Sequence, residues 1–392
     1  MASARRRVVV IGATGSVGGS VLDICERFSD RFEVTAMAAK SNADSLLALS
    51  KKFGARYACL ADPTSETAAR FAEEGVELVS GLAGLAWLTE MPEADHVVFA
   101  SSGTDAIVAL QRALEADKDV SLANKESIVA AGPWVMPLVR RPDQLRPVDS
   151  EHNAIWQCLR SEPGAESRVS GITLTASGGP FREWTVDRMQ NATPEDALAH
   201  PVWPMGPKIT VDSASLMNKG IECIEAMRLF SQPHNRVGAV IHPKSLVHGF
   251  VAFKDASVKM IFSRPDMRLP AASALAWPDR LHLDGYEEFS TPPITDWRLD
   301  FQEIDAERFP CFGTAMEAGR LGGAYPPLLI GADEVAVEAF LGSRIPFLTI
   351  SNIIELVLQS YSGSSPSSLE DALSLIGEGA RLAREICLAI GG

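Results

Sequence analysis

Long apolar runs are missing from this 392-residue chain: no stretch approaches the ~20 residues that span a bilayer, which disfavours a membrane protein. Clustered cysteines are missing too. The six present, Cys25, Cys59, Cys158, Cys223, Cys311 and Cys387, form no C-x-x-C pair, so they read as small buried hydrophobes in a reducing compartment. Positive charge is in deficit, with 36 Lys and Arg against 50 Asp and Glu and a formal charge of −14. That balance disfavours nonspecific binding of nucleic acid or anionic membrane, and a phosphorylated substrate would need a local basic pocket. The opening MASARRRVVVIGATG sets three arginines before an apolar run as a signal peptide does, but Gly and Thr break the run after VVVI, and a cytoplasmic location is expected. No internal repeat and no long low-complexity tract is present.

What is there has the length for two or three domains of ~100–200 residues. Over the first 150 residues, short β-branched runs alternate with helical patterns, the mark of a parallel sheet wrapped by helices. Strands are expected at 7–11, 33–38, 57–60, 96–100 and 119–122, with a helix over 20–28 carrying Val21, Ile24, Cys25 and Phe28 on one face. From about 150 to 277 the texture turns to loops rich in Gly, Pro, Ser and Trp between strand-like runs such as GITLTA and AVIHPKSLVHGFVAF. Residues 278–304 are Pro-rich and weakly periodic, as in an extended linker. Beyond them, helical spacing through AMEAGRL, DEVAVEAFL, TISNIIELVLQSY and LEDALSLIGEGARLAREICLAI predicts a helical bundle.

In VVVIGATGSVGGSVLDI, Gly12, Gly15 and Gly18 stand between a strand and a helix, where a tight turn lets backbone N–H groups meet a pyrophosphate. The pattern is G-x-x-G-x-x-G and also suits a plain strand-to-helix turn; its place at the chain start favours a nucleotide. At the end of the second strand, Lys40, Ser41 and Asn42 offer donors and no carboxylate, which favours NADPH over NADH. Lys40 also suits a solvated surface charge.

Asn124, Lys125 and Glu126 in LANKESIV follow a strand and should emerge at the carboxyl edge of the sheet. Asp149 and Glu151 in PVDSEHNAI, at i and i+2, point the same way from an extended segment, and paired carboxylates repel unless a cation or proton separates them. In DSASLMNKGIECIEAMRLF, Glu222 and Glu225 lie one turn apart. Three oxygen ligands without Cys suit Mg²⁺ or Mn²⁺, although spacing alone also suits acids that cap or solvate helices. Ser177, Ser213, Asn218 and Lys219 could saturate a phosphate dianion, but a Ser in a Gly-rich turn is commonly a turn former. His200 and His248 sit in half-apolar segments, where a histidine is commonly structural.

Together, the segments GATGSVG, NKES, VDSEHN, TASGGPF, HPVWPMGPKITVDSASLMNKGIECIEA, PDMRLP and ADEVAVEAFL resemble the 1-deoxy-D-xylulose 5-phosphate reductoisomerase family, in its order and over most of the chain. The MNKG…E block combined with DSEH is the specific part. The resemblance implies an α/β protein with an N-terminal Rossmann-like doubly wound parallel sheet, a central α+β catalytic domain and a C-terminal helical bundle. Its parts would be an NADPH-binding domain (1–147), a catalytic and metal-binding domain (148–277, with a flap at about 200–208), a linker (278–304) and an α-helical domain (305–392), usually as a homodimer. It implies that Asp149, Glu151 and Glu222 hold Mn²⁺ or Mg²⁺, that Lys125 and Ser150 meet the reacting end of a phosphorylated sugar, and that Ser177, His200, Ser213, Asn218 and Lys219 surround its phosphate. NADPH would lie against Thr14, Gly15, Ser16, Val17, Asn42, Asn124, Glu126 and Gly206, with Lys40 and Ser41 near its 2′-phosphate.

The chemistry implied is a retro-aldol and aldol rearrangement followed by hydride reduction, giving 2-C-methyl-D-erythritol 4-phosphate for non-mevalonate isoprenoid synthesis. Lys125 and Glu151 would act at the reacting atoms and His248 nearby, with Trp203 and Met205 closing over the substrate. This chain departs from the family at Val202, Pro204 and Pro207, and the two prolines should stiffen the flap. It departs also at Lys40 and Ser41, at Gly249, and at Ala256 in the Asp255–Ala256–Ser257 turn. Two other classes compete. Another two-domain NAD(P) dehydrogenase would not need the metal carboxylates, and a nucleotide sensor would bind NADPH without oxidising it.

Overall fold

The computed structural model describes residues 5–161, 164–202, 205–291 and 293–391. The chain divides into two units, residues 1–127, 135–153 and 266–287 against residues 128–134, 154–265 and 288–392.

In the first unit the β-branched runs become a parallel sheet of strands β1 (Arg6–Ile11), β2 (Phe32–Ala39), β3 (Tyr57–Leu60), β4 (Glu77–Ser80), β5 (His96–Phe99), β6 (Asp119–Leu122) and β7 (Leu145–Pro147), in the order β4-β3-β2-β1-β5-β6-β7. Val8, Val9 and Val10 have no exposed surface, as expected of a central strand covered on both faces. The order reverses between β1 and β5, which opens a crevice at their carboxyl ends. The five expected strands are present, and two were missed. β4 is an edge strand whose end residues are exposed, so it lacks an apolar run. β7 has only three residues and a cation at its centre.

That cation, Arg146, is 4% exposed. Its guanidinium donates to Asp143 O at 2.7 Å, to Ala274 O at 3.1 Å and to Asp119 Oδ2 at 2.5 Å. Through Ala274 it ties the helix Arg268–Ala276 to the sheet, and that helix packs on the helix Ser16–Arg27.

Also buried between strands is His96, whose Nε2 lies 2.8 Å from Ser121 Oγ. Burial first, and then Arg146, Arg6 and Arg141, hold its imidazole well below the ordinary value. The unfolded chain protonates this ring at about 6.5 while the folded one does not, so the unfolded state binds more protons below that pH and stability falls as pH falls. The expected loss approaches ~1.4 kcal/mol per pH unit from this group. Urea midpoints measured between pH 7 and 5 should therefore fall more steeply for the native protein than for His96→Gln; equal slopes would refute the assignment.

The second unit holds a mixed sheet of β8 (Val169–Ala176), β9 (Val237–Ile241), β10 (Val247–Phe253) and β11 (Val258–Phe262), in the order β11-β10-β8-β9. The run AVIHPKSLVHGFVAF is thus two strands, parted at 242–246. β10 turns into β11 through Asp255–Ala256–Ser257, where Asp255 Oδ1 accepts the Ser257 N–H at 2.9 Å and Ala256 has φ 67°. A side chain in that left-handed region costs ~1–2 kcal/mol, and glycine returns part of that gain through its greater entropy loss on folding. Ala256→Gly is expected to stabilise the protein by about 0.5–1 kcal/mol, read as a higher urea midpoint; a lower one would overturn the argument. The carboxyl-terminal pattern becomes the helices Pro310–Leu321, Tyr325–Leu341, Thr349–Ser360 and Leu369–Gly391. Among the described residues, 278–304 contain only short 3₁₀ turns and the approach to a lone bridge between Ile241 and Gln302.

One helix of this protein breaks a local rule. Pro133 lies inside Lys125–Val135 and has no N–H, so the Val129 carbonyl four residues back has no helical donor. Arg228 Nη1 donates to that carbonyl and, at 2.6 Å, to Ile128 O. Its side chain has room because residue 132 is glycine, where a Cβ would stand 2.6 Å from Arg228 Cδ. Burial pulls this guanidinium down to about 10, still protonated at neutral pH.

Candidate active site

In the first unit, β1 ends at Ile11 and the turn that follows brings Gly12 against the Ser101 backbone after β5. Gly12 has φ 85°, a region that favours glycine. Gly15 caps the helix Ser16–Arg27 without any side-chain hydrogen bond, so the first-turn N–H groups, with the positive end of the helix dipole, suit a phosphate. Thr14, Ser16 and Val17 belong to the same turn and first helical residues. Asn42 caps the helix Ala43–Phe53, accepting from Ser45 N at 3.1 Å. Lys40 pairs with Asp105 at 3.0 Å while 80% exposed, and Ser41 is exposed.

Asn124 follows β6 and holds the floor of the crevice. Its Nδ2 donates to Ser101 O at 3.0 Å and Gly103 O at 2.7 Å, and its Oδ1 accepts the Ser127 N–H at 2.9 Å. The side chain thereby joins the loop after β5 to the start of the helix that carries Lys125 and Glu126. Lys125 Nζ lies 3.3 Å from Asp149 Oδ1, and His152 Nδ1 lies 2.9 Å from Asp149 Oδ2. Next to them, Ser150 donates to Glu151 Oε2 at 2.7 Å.

The second unit brings together a different set. β8 delivers Ser177 at its carboxyl end, and His200 Nε2 stands 3.1 Å from Ser177 Oγ and 3.1 Å from Ser213 Oγ. Because His200 Nδ1 accepts the Val202 N–H at 3.2 Å, the proton of the neutral ring sits on Nε2. Burial holds that ring below its ordinary value, so it presents one N–H beside two hydroxyls. On the helix Met217–Leu229, Asn218 Nδ2 donates to Glu222 Oε1 at 2.5 Å, and Lys219 donates to Glu222 Oε2. Lys219 and Glu222 are 4% and 1% exposed, a buried ion pair in which each charge depends on the other. Glu225 is also 1% exposed.

Three domain models of one family match the sequence in order: 1-deoxy-D-xylulose 5-phosphate reductoisomerase over residues 8–132, the 1-deoxy-D-xylulose 5-phosphate reductoisomerase C-terminal domain over 145–230, and the DXP reductoisomerase C-terminal domain over 262–382. A 1-deoxy-D-xylulose 5-phosphate reductoisomerase of Chloroherpeton thalassium is 42% identical over 377 residues, covering 94% of this chain and 95% of the relative. The chain belongs to the 1-deoxy-D-xylulose 5-phosphate reductoisomerase family. The Heliobacterium modesticaldum protein of the same name is 43% identical, with 91% of each chain covered. Among solved structures, the Zymomonas mobilis reductoisomerase in complex with NADPH superposes with a TM-score of 0.88 at 39% identity, over 98% of this chain and 99% of that one. A reductoisomerase in complex with NADPH, fosmidomycin and magnesium gives 0.88 at 32% identity, over 98% and 99%.

The remaining reductoisomerase positions singled out in the sequence lie in the second unit. His248, on β10, has Ser263 Oγ at 3.0 Å from its Nε2. Its neighbour Gly249 faces Ile155, whose Cγ1 would lie 3.1 Å from a Cβ, which accounts for the small residue there. Gly206 caps the helix Pro207–Ser215 with Pro207 at its first position, a favoured place for proline, so the last two residues of the expected flap are helical. Met205 is half-buried; Trp203 and Pro204 lie outside the described residues. The sequence reading missed Lys208, Asp212 and Asp333, although Lys208 and Asp212 are spaced i,i+4 and Asp333 interrupts an apolar helix.

Proposed function

We propose that this protein converts 1-deoxy-D-xylulose 5-phosphate to 2-C-methyl-D-erythritol 4-phosphate with NADPH and a divalent metal, Mg²⁺ or Mn²⁺, in isoprenoid precursor synthesis. The observation that carries this reading is near full-length likeness to proteins of that activity, 42% identical over 377 residues. The glycine turn at the strand reversal, and the helix after it whose N-cap Gly15 offers no side-chain hydrogen bond, support an NADPH site on residues 1–147, with Thr14, Gly15, Ser16, Val17, Asn42, Asn124 and Glu126 against the cofactor and Lys40 or Ser41 near its 2′-phosphate; Gly206, of residues 148–277, is proposed to meet the cofactor as well. Asp149, Glu151 and Glu222 are the proposed metal ligands. Two of them already carry an ammonium beside their oxygens, Lys125 at Asp149 and Lys219 at Glu222, and an oxygen donor set of this kind suits a hard cation.

When bound, the metal polarises the substrate's carbonyl and hydroxyl oxygens; NADPH supplies the hydride that reduces the rearranged aldehyde. The rest falls to this chain. Lys125 stabilises negative charge developing on the substrate oxygen. Glu151, whose carboxylate already accepts a hydrogen bond from Ser150, relays a proton. The Ser177 and Ser213 hydroxyls, the His200 Nε2–H, the Asn218 amide and the Lys219 ammonium grip the phosphate. Met205 and Trp203, in a flap of about 200–208, exclude water from the cleaved fragments, with His248 nearby. Residues 148–277 then form the catalytic domain, 278–304 the linker and 305–392 the helical domain.

A homodimer is also proposed, supported by the edge strand β11, which leaves Val258 60% and Met260 42% exposed; light scattering should give twice the chain's mass. Among the described residues no helix is long and apolar enough to cross a membrane, and the free thiols suit the cytoplasm. The test of function is NADPH oxidation with the proposed substrate. Turnover that excess chelator abolishes and added Mg²⁺ or Mn²⁺ restores is expected. Folded protein that binds NADPH but never oxidises it with this substrate would end the proposal, and turnover indifferent to chelator would point to an ordinary dehydrogenase.

A further inference from the structure

Lys208 opens the helix Pro207–Ser215, and its Nζ sits between two carboxylates, 2.5 Å from Asp212 Oδ2 on the same helix and 2.6 Å from Asp333 Oδ2 on the helix Tyr325–Leu341. The Asp212 and Asp333 side chains are 4% and 0% exposed, while that of Lys208 is 34% exposed. The Lys208–Asp212 pair, at i and i+4, is a contact within one helix and fixes nothing outside it. Placing a second carboxylate on the same ammonium opposes folding, because two buried acids then share one cation. What Asp333 adds is direction. It reaches from a different helix and fixes where the amino-terminal end of Pro207–Ser215 lies, and with it the azimuth of the residues further along.

Ser213, one residue past Asp212, is where that azimuth matters, since its Oγ must stand 3.1 Å from His200 Nε2. We propose that Asp333 is a positioning residue of the phosphate cluster: by holding Lys208 it sets the helix Pro207–Ser215 so that Ser213 converges with His200 and Ser177. It touches no substrate atom. The assignment rests on the reading of Ser177, His200 and Ser213 as a phosphate site, and it gives the carboxyl-terminal bundle a role in substrate recognition.

The test is Asp333→Asn, which keeps the shape and removes the charge, with inorganic phosphate as the probe. Loss of one hydrogen bond to a charged group costs about ten- to a hundredfold in affinity, so the dissociation constant for phosphate, read by thermal shift, should rise about tenfold or more. KM for the sugar phosphate should rise in parallel with kcat changing less, while NADPH affinity, read by fluorescence, stays at the native value. Lys208→Gln should give the same phosphate defect, and the double variant should be no worse than either alone. A lower melting temperature with unchanged phosphate affinity would overturn the proposal and leave Asp333 a purely structural group. Should Asp333→Asn fail to fold, Lys208→Gln carries the same comparison. Native protein that binds phosphate without turning over the sugar phosphate would fail the proposed function while leaving this inference standing.

Discussion

Glu151→Gln should lower kcat/KM by roughly a thousandfold, which corresponds to ~4 kcal/mol of lost transition-state stabilisation. The substitution is isosteric, so the Ser150 hydroxyl that donates to Glu151 Oε2 at 2.7 Å retains an acceptor and the helix Ser150–Arg160 is undisturbed. What vanishes is one negative charge of the proposed metal set together with the group proposed to relay a proton. Glu151 lies apart from the glycine turn in sequence and fold, so NADPH quenching titrations should match the native protein. The same substitution at Glu222 is expected to hurt folding as well, because it leaves the buried Lys219 without its carboxylate. A Glu151→Gln enzyme within tenfold of native at saturating Mg²⁺ would falsify the ligand assignment.

Gly18→Val is the second large effect. A Cβ at residue 18 would lie 2.2 Å from Gly12 O, 2.8 Å from Ala13 Cα and 2.9 Å from Ala13 C, and all three are backbone atoms that no rotamer change can move aside. The helix Ser16–Arg27 must therefore shift away from the end of β1, carrying its first-turn N–H groups with it. NADPH affinity is expected to weaken about a hundredfold or more, ~2.7 kcal/mol or beyond, with ~1–3 kcal/mol lost from stability through overpacking. Gly19→Ala is the internal control. Nothing lies within 4 Å of a Cβ there, so it should leave NADPH binding alone and stabilise the helix by up to ~1 kcal/mol. Equal behaviour of the two variants would show that the close approach at residue 18 is not what shapes the site.

Where chemistry is local, the sequence was readable. VVVI followed by glycine specifies a central strand and a tight turn because both needs are met within a few residues, and the carboxyl-terminal helices announce themselves by period. Glu77–Ser80 did not, because an edge strand needs little apolar surface, and neither did Leu145–Pro147, whose centre is an arginine satisfied by a carbonyl at residue 274. The donor types for a phosphate were visible at Ser177, Ser213, Asn218 and Lys219, but the convergence of Ser177 and Ser213 on one imidazole nitrogen is a tertiary fact. Asp333 shows the limit most clearly. A lone acid in an apolar helix signals a partner, and nothing in the sequence says that the partner is Lys208, 125 positions away.

The proline inside Lys125–Val135 has a consequence for how this sequence can change over generations. Pro133, Gly132 and Arg228 form one tolerated combination: Arg228 supplies the donor that the proline removed, and the glycine leaves it room. Loss of Arg228 alone leaves a buried carbonyl bare, a penalty of ~1–3 kcal/mol, whereas the same loss beside Pro133→Ala finds the helical N–H restored. Drift at these three positions is therefore contingent on order, with the proline having to leave before the arginine can, and a library varying them independently should recover folded members chiefly along that route.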